Sequence, residues 1–204
     1  MELETIIFDW SGVISDDFDG VYNTSMKIFE VYRREKISKS EFRRNLSNPP
    51  ARFWKIYLPH IYIHDIQKHF NKFIVMENYG PMPGALATLD FLKDKLKEMY
   101  VLSAHPRHAL EAEARRYGIY NYFKAISCDN HYKDRALHRL IEDNRIDVEK
   151  TLFVEDMVEG ILAGKKAGVK TAALLSGYHS EKKLRTANPD YVFNDVSGLT
   201  TLFD

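Results

Sequence analysis

The sequence is short of sulfur and of long apolar runs. Cys128 is the one cysteine in 204 residues, so an intrachain disulfide is excluded and a reducing compartment is the natural setting. No stretch approaches the roughly 18 consecutive apolar residues of a membrane span. The opening MELETIIFDW carries acids and only a short apolar run, unlike a secretory leader. An excess of either charge is missing too, with Lys plus Arg and Asp plus Glu at 29 each. Without a global basic field, nucleic acid is not an expected partner, and any ligand charge must be met locally. These absences predict a cytoplasmic globular protein with no membrane partner.

What is present suffices for a sizeable core. The chain is 45% hydrophobic and 13% aromatic, which suits one domain or a domain with a small appendage. Thr5-Ile6-Ile7-Phe8, stopped by Asp9 and Gly12, reads as a buried strand running into a turn. From Phe18 to Asn78 the character changes to helical spacing, aromatic-rich and poor in strand signals, with a break at Pro49-Pro50. The linker Tyr79-Gly80-Pro81-Met82-Pro83-Gly84 then leads into an amphipathic helix carrying Leu86, Leu89 and Leu96. Strand candidates follow at Met99–Ser103, Lys124–Ser127, Thr151–Val154, Lys170–Leu175 and Tyr191–Val192, separated by helical patterns. Such alternation predicts an α/β fold, a Rossmann-like doubly wound parallel sheet. Its core comprises residues 1–16 and 80–204, and a helical insert of residues 17–79 interrupts it after the first strand.

Ligands of doubly wound sheets bind outside the carboxyl ends of the strands, so the polar residues ending these strands carry the chemistry. They are Asp9, Ser103, Glu155-Asp156 and, in the stretch after Ser127, Lys133. Taken singly, such an Asp is a turn residue or cap, the Ser a cap and the Lys a surface charge. Taken together, two carboxylates, a hydroxyl and an ammonium suit a hard cation beside an anionic group. Mg²⁺ needs only one or two protein carboxylates, here Asp9 and Asp156. Ser103 and Lys133 would hold a phosphate, and a carboxylate can itself attack phosphorus.

The segments IIFDWSGVISDD, VLSAHP, HYKDRALHRLIE and TLFVEDMVEGILAGKKAGVKTAAL resemble, in order, the four motifs of the haloacid dehalogenase superfamily. The linker and the tail GYHSEKKLRTANPDYVFNDVSGLTTLF resemble it as well, so the likeness covers nearly the whole chain. It implies a helical cap over the active site and a phosphatase acting on a small phosphorylated metabolite through an aspartyl-phosphate on Asp9. It further implies Mg²⁺ held by Asp9, the Ser11 carbonyl and Asp156, with Ser103, Ala104 and Lys133 on the phosphate. A monomer or homodimer is expected.

The sequence departs from that pattern in two places. The residue two after the nucleophile, usually an Asp that protonates the leaving group, is Ser11; a positioned acid–base group contributes about 10²–10⁴-fold. In the fourth motif Glu155 stands for the usual Gly, Met157 for Ser, and Gly160 where a second Asp is common. Glu155 or Glu159 would support the metal through water, with Glu159 read as an exposed helix residue. Two alternatives follow from Ser11. Phosphonatase-like C–P hydrolases carry an Asp-Trp-Ala-Gly motif and a cap lysine, for which Lys55 is the first choice. A phospho-ligand-binding protein with little turnover is the other.

Some remaining residues receive plainer readings. His60 and His64, four apart, lack a partnering ligand set. Asp16 is expected to cap the first helix of the insert, with Asp17 a possible acidic helper. Arg33-Arg34 and Arg43-Arg44 read as solvated helix faces. Phe53, Trp54, Tyr57, Tyr62, Phe70 and Phe73 are expected to pack the insert.

Overall fold

The computed structural model describes residues 3–203. The first strand, β1 (Thr5–Phe8), is followed by four helices, α1 (Phe18–Val31), α2 (Lys39–Asn45), α3 (Ala51–Tyr57) and α4 (Ile63–Ile74). The chain then alternates: α5 (Ala85–Asp94), β2 (Glu98–Leu102), α6 (Arg107–Arg116), β3 (Ala125–Ser127), α7 (Lys133–Asn144), β4 (Thr151–Glu155), α8 (Val158–Ala167), β5 (Lys170–Leu174), α9 (Glu181–Arg185) and β6 (Tyr191–Phe193). A 3₁₀ segment over Val196–Leu202 closes it.

The strands form one six-stranded sheet in the order β3-β2-β1-β4-β5-β6, parallel at every pairing. The central strand aligns Phe8 with Val101 on one side and with Val154 on the other. Strand residues alternate between faces, and each face has its own core. Ile6, Phe8, Val101, Leu152 and Val154 pack with Leu89, Leu92 and Leu110 of α5 and α6. Ile7, Tyr100, Leu102 and Phe153 pack with Leu137, Leu140 and Ile141 of α7. Burial on both faces explains why these strands read as unbroken apolar runs. Sequence order reverses between β1 and β4, and the crevice outside their carboxyl ends is where such sheets take ligands.

The four helices after β1 bury a separate aromatic cluster containing Phe29, Phe42, Phe53, Trp54 and Tyr57. Ser38 caps α2 by accepting a hydrogen bond from the Glu41 amide at 3.2 Å, a short polar signal of the kind that starts helices. Three expectations need correction. Leu96 lies outside α5, with φ of 56°, and is 89% exposed; helix and apolar face end before it. Tyr62 is 81% exposed rather than packed. Asp17, not Asp16, is the residue preceding α1, and its side chain makes no cap bond because it is engaged elsewhere.

Candidate active site

β1 delivers Asp9 to the crevice, and the Asp9 amide donates to the Val154 carbonyl at 2.9 Å, fixing it against β4. The carboxylate is buried. One oxygen accepts from the Trp10 amide at 2.7 Å, and the other lies 2.8 Å from the Lys133 ammonium. Lys133 opens α7 and reaches back to Glu155 Oε1 at 2.6 Å and the Leu102 carbonyl at 3.1 Å. β4 runs straight into Glu155 and Asp156, both 0% exposed. Asp9, Glu155 and Asp156 each present an oxygen within 4.8 Å of the others. Ser103, just past β2, is buried, and its hydroxyl accepts from the His105 amide at 3.1 Å. Asp9, Ser11, Ser103 and Ala104 line one cavity between the sheet edge and the helical segment.

Three buried acids here share one buried ammonium, and the titration of Lys133, Glu155 and Asp156 reflects that imbalance. Burial pulls the Lys133 pKa down, but the adjoining Asp9 and Glu155 carboxylates outweigh it and the net shift is upward, so Lys133 stays charged. Burial pushes Glu155 up to about 7 despite Lys133. Asp156 is raised well above the ordinary carboxylate range, by burial first and then by Asp9 and Glu155. The Tyr178 amide donates to Asp156 Oδ2 at 2.7 Å, while Asp156 Oδ1 and Glu155 Oε2 are buried without a partner. Such orphaned oxygens are costly. A hard divalent cation would satisfy them, and an all-oxygen donor set is what Mg²⁺ prefers. Gly12, at φ of 72°, is required twice: for its backbone, and because a Cβ there would collide with the Asp156 carboxyl.

Two of the three departures in the fourth motif, Glu155 and Gly160, explain each other. A Cβ on Gly160 would run into the Glu155 carboxyl group. The side chain of Glu155 therefore fills the volume that a residue-160 side chain would occupy, and from there it meets Lys133. The carboxylate usual at position 160 is supplied instead from the end of β4. Glu155, expected to support a metal through water, pairs directly with Lys133 at 2.6 Å and stays within the metal-spaced acidic group. Glu159 is half-buried, with Oε2 4.0 Å from His179 Nδ1, rather than a freely exposed helix residue.

Ser11 does not face its neighbourhood alone. Its hydroxyl donates to Asp17 Oδ2 at 2.6 Å, and the Tyr178 hydroxyl donates to Asp17 Oδ1 at 2.7 Å. Burial raises Asp17 to about 6, opposed by His105 and by these two hydrogen bonds. His105 sits between acids, with Nδ1 3.6 Å from Asp17 and Nε2 3.0 Å from Glu113. Glu113 in turn accepts from Trp10 Nε1 at 2.7 Å, Ser15 Oγ at 3.0 Å and the Tyr79 hydroxyl at 2.9 Å. Sequence reasoning assigned no role to His105 or Glu113. The only signal was proximity: His105 stands two residues after Ser103, and Trp10 directly follows Asp9.

Other candidates fall outside the site. Lys55 is exposed and absent from the cavity wall. His60 and His64 are exposed, and among the described residues the acidic triad is the one group with metal-ligand spacing. Arg43 is not merely solvated: it donates to the Gly177 carbonyl at 2.9 Å and lies 4.1 Å from the centre of the Phe18 ring.

Comparison with known proteins agrees with this geometry. A family model described as haloacid dehalogenase-like hydrolase matches residues 6–174. Pyrophosphatase PpaX of Halalkalibacterium halodurans is 22% identical over 98% of this chain and 96% of its own length. A phosphoglycolate phosphatase of Agrobacterium fabrum is 30% identical over 59% of this chain and 53% of its own. In structure, a predicted phosphatase from Clostridium acetobutylicum superposes with a TM-score of 0.90 at 16% identity, covering 100% of this chain and 99% of that one. A haloacid dehalogenase-like family hydrolase from Streptococcus pneumoniae gives 0.89 at 16% identity over 99% of each chain. With a matched segment running from the first strand through the fifth, the chain belongs to the haloacid dehalogenase-like hydrolase family.

Proposed function

We propose that this hydrolase is a Mg²⁺-dependent phosphatase of a small phosphorylated metabolite, with Asp9 as the nucleophile. The observation that carries the reading is the placement of Asp9: buried at the central strand end, held by Lys133 at 2.8 Å, and within 4.8 Å of Glu155 and Asp156 at the floor of a cavity. The names of the relatives, a pyrophosphatase and a phosphoglycolate phosphatase, support phosphoryl chemistry.

An Asp9 oxygen attacks phosphorus as the bond to the departing oxygen breaks, and that oxygen takes up a proton from solvent water. Water then attacks the aspartyl-phosphate, releasing phosphate and restoring the carboxylate. The Ser103 hydroxyl and the backbone around Ala104 face the cavity beside the nucleophile and hold the phosphoryl oxygens. Lys133 keeps Asp9 oriented and offsets charge on the transferring group. Asp9, Asp156 and the Ser11 carbonyl would hold the Mg²⁺ ion, which would supply Lewis-acid neutralisation of charge on the phosphoryl group. The helical segment, residues 17–79, roofs the cavity and excludes water as a cap. Among the described residues no lysine lines the cavity, which favours the phosphatase reading over the C–P hydrolase alternative, whose chemistry needs a free amine.

Release of phosphate from generic phosphomonoesters, dependent on Mg²⁺ and abolished in Asp9→Asn, is the expected result. Substantial turnover by Asp9→Asn under the same conditions would overturn the reading.

A further inference from the structure

The cavity above Asp9 has a composition of its own. Its volume is about 120 Å³. The helical segment contributes an apolar wall that includes Val21, Phe53, Trp54, Ile66 and Phe70. Among the described residues no Lys or Arg lines it. The nearest ammonium, Lys133, is already shared by two carboxylates, at 2.8 and 2.6 Å. His105 has both ring nitrogens turned to acids, at 3.6 and 3.0 Å, so its charge is compensated there. His131, the other ring on the wall, has its pKa lowered by burial, which keeps it neutral near pH 7. The polar atoms left over are neutral: Gln67 lines the cavity, and Ser47 Oγ, Asn48 Oδ1 and His131 Nδ1 are buried without partners.

From this wall we infer that the substrate's leaving group is uncharged, no larger than about one ring, and mainly apolar with one or two neutral hydrogen-bonding groups. The inference rests on the phosphatase reading and narrows it. A carboxylate or a second phosphate, as the relatives' names would suggest, would enter the cavity with no cation to meet it beyond the metal site. Burying an unpaired anion is strongly unfavourable. An apolar ring, in contrast, gains from contact with the aromatic wall. Benzene fills an apolar cavity of about 150 Å³, and this cavity of about 120 Å³ also takes the phosphoryl group beside Asp9 and Ser103, so a single ring is the upper bound for what the wall accommodates.

The test uses the full chain with Mg²⁺ and two arms. In the first, phenylphosphonate and phosphonoacetate, both resistant to hydrolysis, are titrated by calorimetry. Phenylphosphonate is expected to bind at least about thirtyfold more tightly, equivalent to about 2 kcal/mol. Gln67→Arg, on a half-buried position of α4 outside the catalytic set, should narrow that ratio at least about tenfold by supplying a cation. In the second arm, Asp9-dependent hydrolysis of acetyl phosphate reports the phosphoryl chemistry independently of the wall. Equal or tighter binding of phosphonoacetate by the unmodified protein overturns the inference, whatever the second arm gives. Absence of Asp9-dependent acetyl phosphate turnover, with the ring preference intact, overturns the phosphatase reading while leaving the neutral pocket standing.

Discussion

Replacing Gly160 by alanine is expected to destabilise the protein, against the usual rule for a helix interior. Gly160 lies in α8, where alanine is normally better than glycine by about 1 kcal/mol. Here the added methyl would penetrate the Glu155 carboxyl group. Glu155 is fully buried and bonded to Lys133 at 2.6 Å, so it has no solvent to swing into. Displacing it leaves Lys133 with Asp9 as its one remaining carboxylate partner. Breaking a buried ion pair costs about 3–5 kcal/mol; subtracting the helix gain leaves a net loss of roughly 2–4 kcal/mol. For a chain of this length that is a fall in Tm of roughly 5–15 °C. Denaturant melts give the free energy and a thermal scan the Tm. The exchange Glu155→Gly with Gly160→Asp moves the carboxylate back to the helix and should recover about 1–3 kcal/mol relative to the sum of the single changes. A Gly160→Ala variant as stable as the parent, or an exchange that behaves additively, would refute the claim that these two positions share one volume and one charge.

Three further outcomes are expected. Glu113→Gln removes a charge that accepts four hydrogen bonds and leaves an amide facing donors, so it should cost about 2–4 kcal/mol in denaturant melts. Because His105 and the other donors hold the Glu113 pKa below its ordinary 4.5 against burial, its contribution is present above that value and lost as pH falls through the folded pKa. Acid unfolding of the Gln variant should accordingly be shallower than that of the parent. For the acid triad the sign reverses. Glu155, raised to about 7, holds its proton longer in the folded state than when unfolded, so the metal-free protein loses stability at this site as pH rises from about 4.5 through 7. Mg²⁺ should therefore bind more tightly at pH 8 than at pH 6, with release of protons measurable by calorimetry in two buffers; a pH-independent affinity would contradict the triad as its site. Ser11→Asp places a second carboxylate against Asp17 in a buried pocket, where the two cannot both ionise. The shared proton should raise turnover of alkyl phosphates by about 10²-fold or more, read as kcat with Asp9→Asn as the blank.

Much of the site was legible because a parallel strand buried on both faces leaves a blunt signature: an apolar run, then an abrupt polar residue. Asp9, Ser103 and Asp156 stood out for that reason, and Lys133 by its place in the motif order. The pairing of Glu155 with Gly160 was visible only as two separate departures, since nothing in a linear sequence says that a side chain on a strand end enters the space above a glycine in the first turn of the next helix. Glu113 sits in the run Glu111-Ala112-Glu113-Ala114-Arg115-Arg116, which has the composition of a solvated helix face. Only the turn of α6 that points it at Trp10 and His105 makes it interior. Tyr62 and Leu96 erred in the opposite sense: large apolar side chains at the ends of helical patterns, where the backbone had already left the packed face.

Tyr178 has a consequence for how the family's chemistry can drift. Its main chain serves Asp156, at 2.7 Å, and its phenol serves Asp17, also at 2.7 Å. The first bond survives any side chain at that position except proline, and the second survives almost none. A change to phenylalanine would thus leave the cation's cradle untouched while loosening the acid behind Ser11. On the proposed reading, holding the cation and handling the proton are separable, divided within one amino acid.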